Sequence, residues 1–384
     1  PRGVGYSTKV ACPGLSQSVP PPPGQLTERQ AFAEYQVNAQ ENGKCGKAHR
    51  LFLAQLTTAN VARDLNQIRI AIHQRQISFF GVSWGTALGA YYRSLFPATV
   101  SRMWLDSVLA PDFRQDAYAR TNAQATATDF SRMTQWIARQ NATYGFGATA
   151  QQVEAAIVKE WRQYDAAPRT FTHPNVTVGS ALIAETAAQP SVGWPEAAQV
   201  LMQLRDATGP SAPPALRQIA GGQRSGPPRG VPETFDPTMG TAVVCNEDSG
   251  QRAFGPAWTA YKQLLKSYPV TGELISPTSA GGRCAGWPLP RQPWHLRAVS
   301  GSLELSGHRY ESTTPYVWTE QMQHAIGGKI FTVNDDIHAS LLDVPDCAAH
   351  MLAYFDTGKR DTGHCPGVPI PSRPGGSGSG SGSA

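Results

Sequence analysis

The chain of 384 residues contains no run of about eighteen apolar residues, so no segment is expected to span a membrane as a helix. It also lacks a basic block. The formal net charge of +5 is spread along the chain, and with no Lys/Arg cluster to neutralise phosphates, nucleic acid is not expected as a partner. Charged residues are scarce at 16%, which argues against a coiled coil, whereas 37 Gly and 31 Pro describe a loop-rich globular protein. Metal spacing is absent too: the six cysteines include no C-x-x-C, and none has a histidine at zinc-finger distance. No metal or other cofactor is therefore expected. An even cysteine count without metal spacing favours disulfides and an oxidising, extracellular setting, with six buried free thiols as the alternative.

What is present is 40% hydrophobic residues, enough for a substantial core. The segment 14–30, with its run VPPPPG, reads as a loop, and AFAEYQVNAQENG as a helix leading to Cys45. TTANVARDLNQIRIAIH (57–73) starts on Thr caps and sets Val61, Leu65, Ile68 and Ile72 on one face of a helix. QISFFGV is short, apolar and β-rich, as a buried parallel strand should be, and TALGAYYRSLFP then reads as a helix and VSRMWLDSV as a second strand. From about residue 113 to 240 helical periods are separated by Pro- and Gly-rich connectors and no strand–helix alternation appears. TAVVCNED is expected to resume the sheet as a short strand, AFGPAWTAYKQLLKSY to be a helix, and LRAVSGSLELSG and GKIFTVNDD to supply the last strands. These periods give an α/β fold in three parts: 1–112 as the first part of the core, 113–240 as a helical cap insertion, and 241–373 as the second part of the core. Residues 374–384, GSGSGSGSA with its flanks, read as an engineered Gly/Ser linker.

GVSWGT (81–86) lies between the strand QISFF and a helix, the setting of a nucleophile elbow. Gly81 and Gly85 would let strand and helix approach closely, the turn would lift the Ser83 hydroxyl above the sheet, and the Trp84 amide at the helix N-terminus could donate to an oxyanion. A serine needs a histidine base and a carboxylate to orient that base, in the chain order Ser, acid, His. His49 and His73 precede Ser83, and His173 lies in the insertion. His295 and His308 come before the last strand, His324 and His350 fall within helices, and His364 adjoins Cys365 in a terminal loop. His338, in a loop after GKIFTVNDD, is the candidate base. Glu311, in the loop after LRAVSGSLEL and before Pro315, is the candidate acid, with Glu304, Asp335, Asp336 and Asp106 as rivals. Glu247 and Asp248, where the insertion rejoins the core, are candidates to grip a substrate ammonium at the rim of the site. Trp194, Trp287 and Tyr310 could wall a pocket or simply fill the core.

These motifs, in this order, resemble the secreted tripeptidyl-aminopeptidase group of α/β-hydrolases, relatives of the proline iminopeptidases. The likeness runs through PRGVGYS, Asp64 in RDLNQIR, GVSWGT, RMWLDSV, VVCNED, CAGWP, an acid loop ending in T-P, a base histidine, a downstream Cys and a final Cys-Pro. It covers most of the chain except the helical insertion. The resemblance implies an α/β-hydrolase fold with Ser83 as nucleophile, His338 as base and Glu311 at a position where the group usually has Asp. It implies the pairs Cys12–Cys45, Cys245–Cys284 and Cys347–Cys365. It also implies an upstream Gly-rich loop carrying a second oxyanion donor. None precedes Pro1, so the chain is expected to be trimmed or to work with a separate N-terminal fragment of the same protein, and to be inactive or crippled alone. The expected function is a secreted serine exopeptidase that releases short peptides from free N-termini. The competing readings are an esterase, lactonase or amidase for a small metabolite, or a catalytically silent binding module.

Overall fold

The computed structural model describes residues 2–16, 22–220 and 236–372. The tail expected to be a linker, and part of the VPPPPG loop, lie outside the described residues.

Among the described residues seven strands form two sheets. In chain order they are β1 (Ile77–Val82), β2 (Val100–Asp106), β3 (Arg169–Phe171), β4 (Val176–Val178), β5 (Glu304–His308), β6 (Lys329–Val333) and β7 (His364–Cys365). The larger sheet has the order β1-β2-β5-β6-β7, and every neighbouring pair is parallel. Parallel neighbours need crossovers, and helices Trp84–Leu95, Tyr316–Ile326 and Pro345–Thr357 make three of them. Sheet and crossovers share a core built from Met103, Leu105, Leu305, Tyr92, Trp318 and Met322. This is the α/β-hydrolase architecture expected from the sequence, with one consequence for function: all five strands end on the same side.

Between β2 and β5 the chain leaves the sheet and builds a helical layer from Gln115–Arg139, Ala150–Ala166, Ser180–Ala187 and Trp194–Asp206. Its core is separate from that of the sheet and includes Met133, Trp136, Trp161, Trp194 and Leu201. That core also takes in Val270, with Leu265 and Leu274 packed against it, so it draws on residues well past 240. Besides its helices the insertion holds one short hairpin, in which β3 and β4 pair antiparallel.

One correction concerns TAVVCNED. Pro237–Glu247 is a helix, capped by the Asp236 carboxylate, which accepts from the Met239 amide, and started by Pro237 in the first turn. An apolar run of four residues fits a strand or a buried helix equally well, and the Asp-Pro start was the deciding signal. The apolar face expected on helix Thr58–Ala71 is only partly covered: Val61 and Leu65 are half-buried, while Ile68 and the following Ile72 are more than half exposed, and the buried apolar residue is Ala62 beside that face. In that helix Asp64 receives two hydrogen bonds from the Arg2 guanidinium, at 2.7 and 2.9 Å, which fastens the PRGVGYS segment to the core.

The disulfides are Cys12–Cys45, Cys245–Cys284 and Cys347–Cys365, and no free cysteine is present among the described residues. No described helix is long and apolar enough to cross a membrane.

Candidate active site

Ser83 follows β1 directly and caps the helix Trp84–Leu95 with φ 55° and ψ −122°. That left-handed φ is costly for a residue with a Cβ, and it persists because the turn is tied at both ends. The Ser83 amide donates to the Asp106 carbonyl on β2, and the Thr86 amide and hydroxyl both donate to the Ser83 carbonyl. A side chain on Gly81 would meet the Gly85 carbonyl oxygen and the Phe79 ring at 2.6 Å, so Gly81 is required by the close strand–helix approach. Gly85 is different from expectation: a Cβ there meets nothing within 4 Å. It borders an apolar cavity of about 380 Å³ lined by Thr58, Val61, Trp84, Leu88 and Val244 among others. The Trp84 amide belongs to the first helical turn, where N–H groups have no intrahelical acceptor.

Glu311 lies three residues beyond the end of β5 and is buried. Its Oε1 accepts from the Thr314 amide at 2.9 Å and the Thr314 hydroxyl at 2.7 Å, and faces His338 Nδ1 at 2.5 Å. Its Oε2 accepts from the Ser107 hydroxyl at 3.0 Å. Ser107 in turn accepts from the Ala339 amide at 3.0 Å, so one serine joins the acid loop to the loop that carries His338. His338 is a third exposed, leaving its other ring nitrogen to face outward from the carboxylate. Among the described residues, no hydrogen bond joins the Ser83 hydroxyl to His338. The elbow reaches the imidazole indirectly, through the Asp106 carbonyl, then Ser107, then Glu311 and Ala339.

Five non-glycine residues among those described have positive φ, and Ser83, Ser107 and Ala339 are three of them. All three stand where a strand or its following loop turns at the same sheet edge. Backbone strain of this kind gathers where a constellation of side chains is held in place by its surroundings.

The rivals of Glu311 have other partners. Asp106 and Asp335 flank the buried imidazole of His308, and Asp336 accepts from the Ser191 amide at 2.9 Å and from Arg132 at 3.3 Å. Glu304, at the opposite end of β5, is buried without a side-chain partner, and burial pushes its carboxyl up to about 8. Arg132 also bonds Asp129 and stacks on the Tyr310 ring at 3.9 Å, so the helical layer is fastened to the His338 loop and to the residue beside Glu311. Burial and the nearby Asp336 charge push Asp129 up to about 8 against the pull of Arg132.

Glu247 and Asp248 do not form a rim. Both are buried, at 1% and 0% exposure. Glu247 accepts from the Thr58 amide and hydroxyl and from the Trp294 indole at 3.0 Å, and burial raises its carboxyl to about 7. Thr58 also accepts from the Trp84 indole at 3.2 Å, so Glu247 braces the residue after Ser83 from beneath. Asp248 accepts from the Gln115 and Gly250 amides. A carboxylate in a loop-like sequence reads as solvated, and its capture by helix-start amides leaves no mark in the sequence. Trp194 and Trp287 are core residues; of the three aromatic candidates only Tyr310 is appreciably exposed. Sequence reasoning passed over Ser107 and Thr314, whose signal is position: one follows a strand end, the other stands three residues after the candidate acid.

Residues 1–165 match a family described as alpha/beta hydrolase fold, and residues 268–365 match one described as TAP-like protein. A tripeptidyl aminopeptidase of Streptomyces lividans is 33% identical over 166 residues, 41% of this chain and 30% of that protein. Serine protease Hip1 of Mycobacterium tuberculosis is 25% identical over 342 residues, 82% of this chain and 62% of that protein. A putative hydrolase, YuaR, of Escherichia coli is 21% identical over 291 residues, 73% of this chain and 56% of that protein. The chain thus spans less than two thirds of the length of each of these relatives.

Proposed function

We propose, taking as premise that the chain is an α/β-hydrolase with a TAP-like C-terminal region, that it is a secreted serine exopeptidase working through an acyl-enzyme at Ser83. In this reading His338 takes the Ser83 proton as the hydroxyl oxygen attacks the substrate carbonyl. Glu311 holds the imidazole by Nδ1 and stabilises the imidazolium that forms. The Trp84 amide donates to the oxygen as it becomes an oxyanion. The imidazolium then protonates the departing amine, and a water activated by the same imidazole cleaves the acyl-enzyme and restores Ser83.

The observation that carries the reading is the Glu311–His338 pair, with the carboxylate held by Ser107 and Thr314 beside the positive-φ turn of Ser83. The peptidase choice is supported by the relatives named tripeptidyl aminopeptidase and serine protease. Secretion is supported by the three disulfides, which persist in oxidising compartments. Recognition of a free amine does not fall to Glu247 or Asp248, because both are enclosed.

The test pairs a fluorophosphonate with tripeptidyl anilides whose amine is free or blocked. The expected result is one covalent adduct on Ser83, turnover of the free-amine substrate and rejection of the blocked one, with both activities lost in Ser83→Ala. Equal turnover of the two anilides points instead to an esterase or amidase. Failure of the folded chain to label at Ser83 even with the expected N-terminal fragment supplied alongside it sinks the serine-hydrolase reading altogether.

A further inference from the structure

His308 is the last residue of β5 and has no exposed surface. Its Nδ1 lies 2.6 Å from Asp335 Oδ1 and its Nε2 lies 3.1 Å from Asp106 Oδ1. A neutral imidazole has one N–H, so it can donate to only one of two carboxylates and turns a lone pair on the other. Only the imidazolium satisfies both. Burial works against that charge, but the two carboxylates outweigh it, and the group titrates well above the ordinary histidine range. Asp335 is correspondingly held below the usual carboxylate range despite its burial.

Each partner of His308 belongs to a different part of the candidate site. Asp106 is followed by Ser107, which holds Glu311, and its own carbonyl accepts the Ser83 amide. Its Oδ1 also accepts from Ser306, two residues before His308, which accepts in turn from the Trp104 indole at 2.7 Å. Asp335 gathers the loop around His338: its carboxylate accepts from the Ile337 amide at 3.4 Å and the Ser340 hydroxyl at 2.6 Å. It also accepts from the Val368 amide at 2.8 Å, and its carbonyl accepts from Tyr310, the neighbour of Glu311. The His308 carbonyl accepts the Glu311 amide.

We infer that His308, which meets no substrate, is a positioning residue: a buried cation shared by Asp106 and Asp335 that holds the strand ends carrying Ser83, Glu311 and His338 in register. The inference rests on the reading of those three as the reacting groups. Breaking a buried charge pair leaves its partners uncompensated, so loss of the cation is felt at both carboxylates. Removing one of the two carboxylates together with the cation relieves much of that penalty.

The first measurement needs no variant. In the full chain with 15N-labelled histidines, one imidazole should carry protons on both nitrogens at pH 7 and keep them as the pH rises past the point where ordinary histidines have lost theirs. The titratable and charged groups facing it are Asp106 from β2 and Asp335 from the His338 loop, with the Ser306 and Ser340 hydroxyls as neutral neighbours. The second compares the rate of fluorophosphonate labelling at Ser83 in His308→Gln and in His308→Gln/Asp335→Asn. The single variant should label at least about tenfold more slowly while keeping the wild-type circular dichroism, and the double variant should recover part of the rate. A merely structural histidine would lower the melting temperature without slowing the folded molecules. A neutral His308 at pH 7 overturns the inference, as does labelling of His308→Gln within twofold of wild type. Should His308→Gln not fold, the nitrogen spectrum decides. If wild-type Ser83 fails to label even with the N-terminal fragment supplied, the hydrolase reading falls, and the spectrum still reports on His308 alone.

Discussion

Glu311 has a full set of partners around one carboxylate, three for Oε1 and one for Oε2, and each matters because an unsatisfied buried acceptor is costly. Glu311→Gln would offer His338 an amide that can donate where a carboxylate only accepts, favouring the wrong imidazole tautomer. A drop in kcat on the order of 10^4 with KM nearly unchanged is expected for loss of a triad acid, measured on a chromogenic peptide. A loss of less than about tenfold would show that Glu311 does not serve His338 in the reaction. At this scale the sequence was informative where a residue's place follows from the chain order of strands and silent where it depends on burial. The loops of Glu311 and His338 could be set at one sheet edge because parallel strands all finish there. The enclosure of Glu247 could not be read, since its partners Thr58 and Trp294 stand 189 and 47 residues away. His308 comes too early in the chain for the base, yet its place at a strand end is what puts it between two carboxylates.

Among the elements, the strand–turn–helix around Ser83 separates two glycines that look alike in the motif. Gly81 is pressed against the Gly85 carbonyl and the Phe79 ring, whereas Gly85 borders open space. Gly81→Ala should therefore lower the melting temperature by several degrees and strongly slow phosphonate labelling, because β1 and the helix must separate to admit a methyl group. Gly85→Ala should fold with a stability within about 1 kcal/mol of wild type, an alanine being favoured over glycine inside a helix. Thermal melts of the two variants check the contrast, and equal destabilisation would mean that the cavity beside Gly85 closes in solution. The runs of β1, β2 and β6 were readable as short, apolar, β-rich stretches, but the burial expected of β1 needs correction: it is the edge strand of the described sheet and only Gly81 in it is buried. The helix Pro237–Glu247 was not, because its short apolar stretch carries no period, and β3 and β4 are three residues each, too short for alternation to stand out.

Over the whole molecule, the three disulfides close segments of 33, 39 and 18 residues and together tie both ends of the described chain to the core. Cross-links of this length stabilise by roughly 3–4 kcal/mol each in the chain-entropy view. Five of the six cysteines are buried and Cys12 alone is partly exposed. Mild reductant should therefore open Cys12–Cys45 first, detectable by alkylation and mass spectrometry, with Cys245–Cys284 and Cys347–Cys365 opening only under denaturing conditions. Simultaneous opening of all three would mean that the interior breathes as a unit. The broad architecture was legible in the sequence, while the reach of the helical layer was not: Glu273 bonds Trp161 and Ser180, a connection between segments that composition does not link.

Ser107 and Glu311 are 204 residues apart, and Ala339 and Ser107 are separated by 232. Neither half of the polypeptide can therefore organise the candidate site while the other is still being made. Contacts of such separation form late because long loops must close before they are rewarded. A newly made chain should thus be unable to bring Ser107, Glu311 and Ala339 together until the loop after β6 has been made, and, on the proposed reading, a covalent serine probe would time that step.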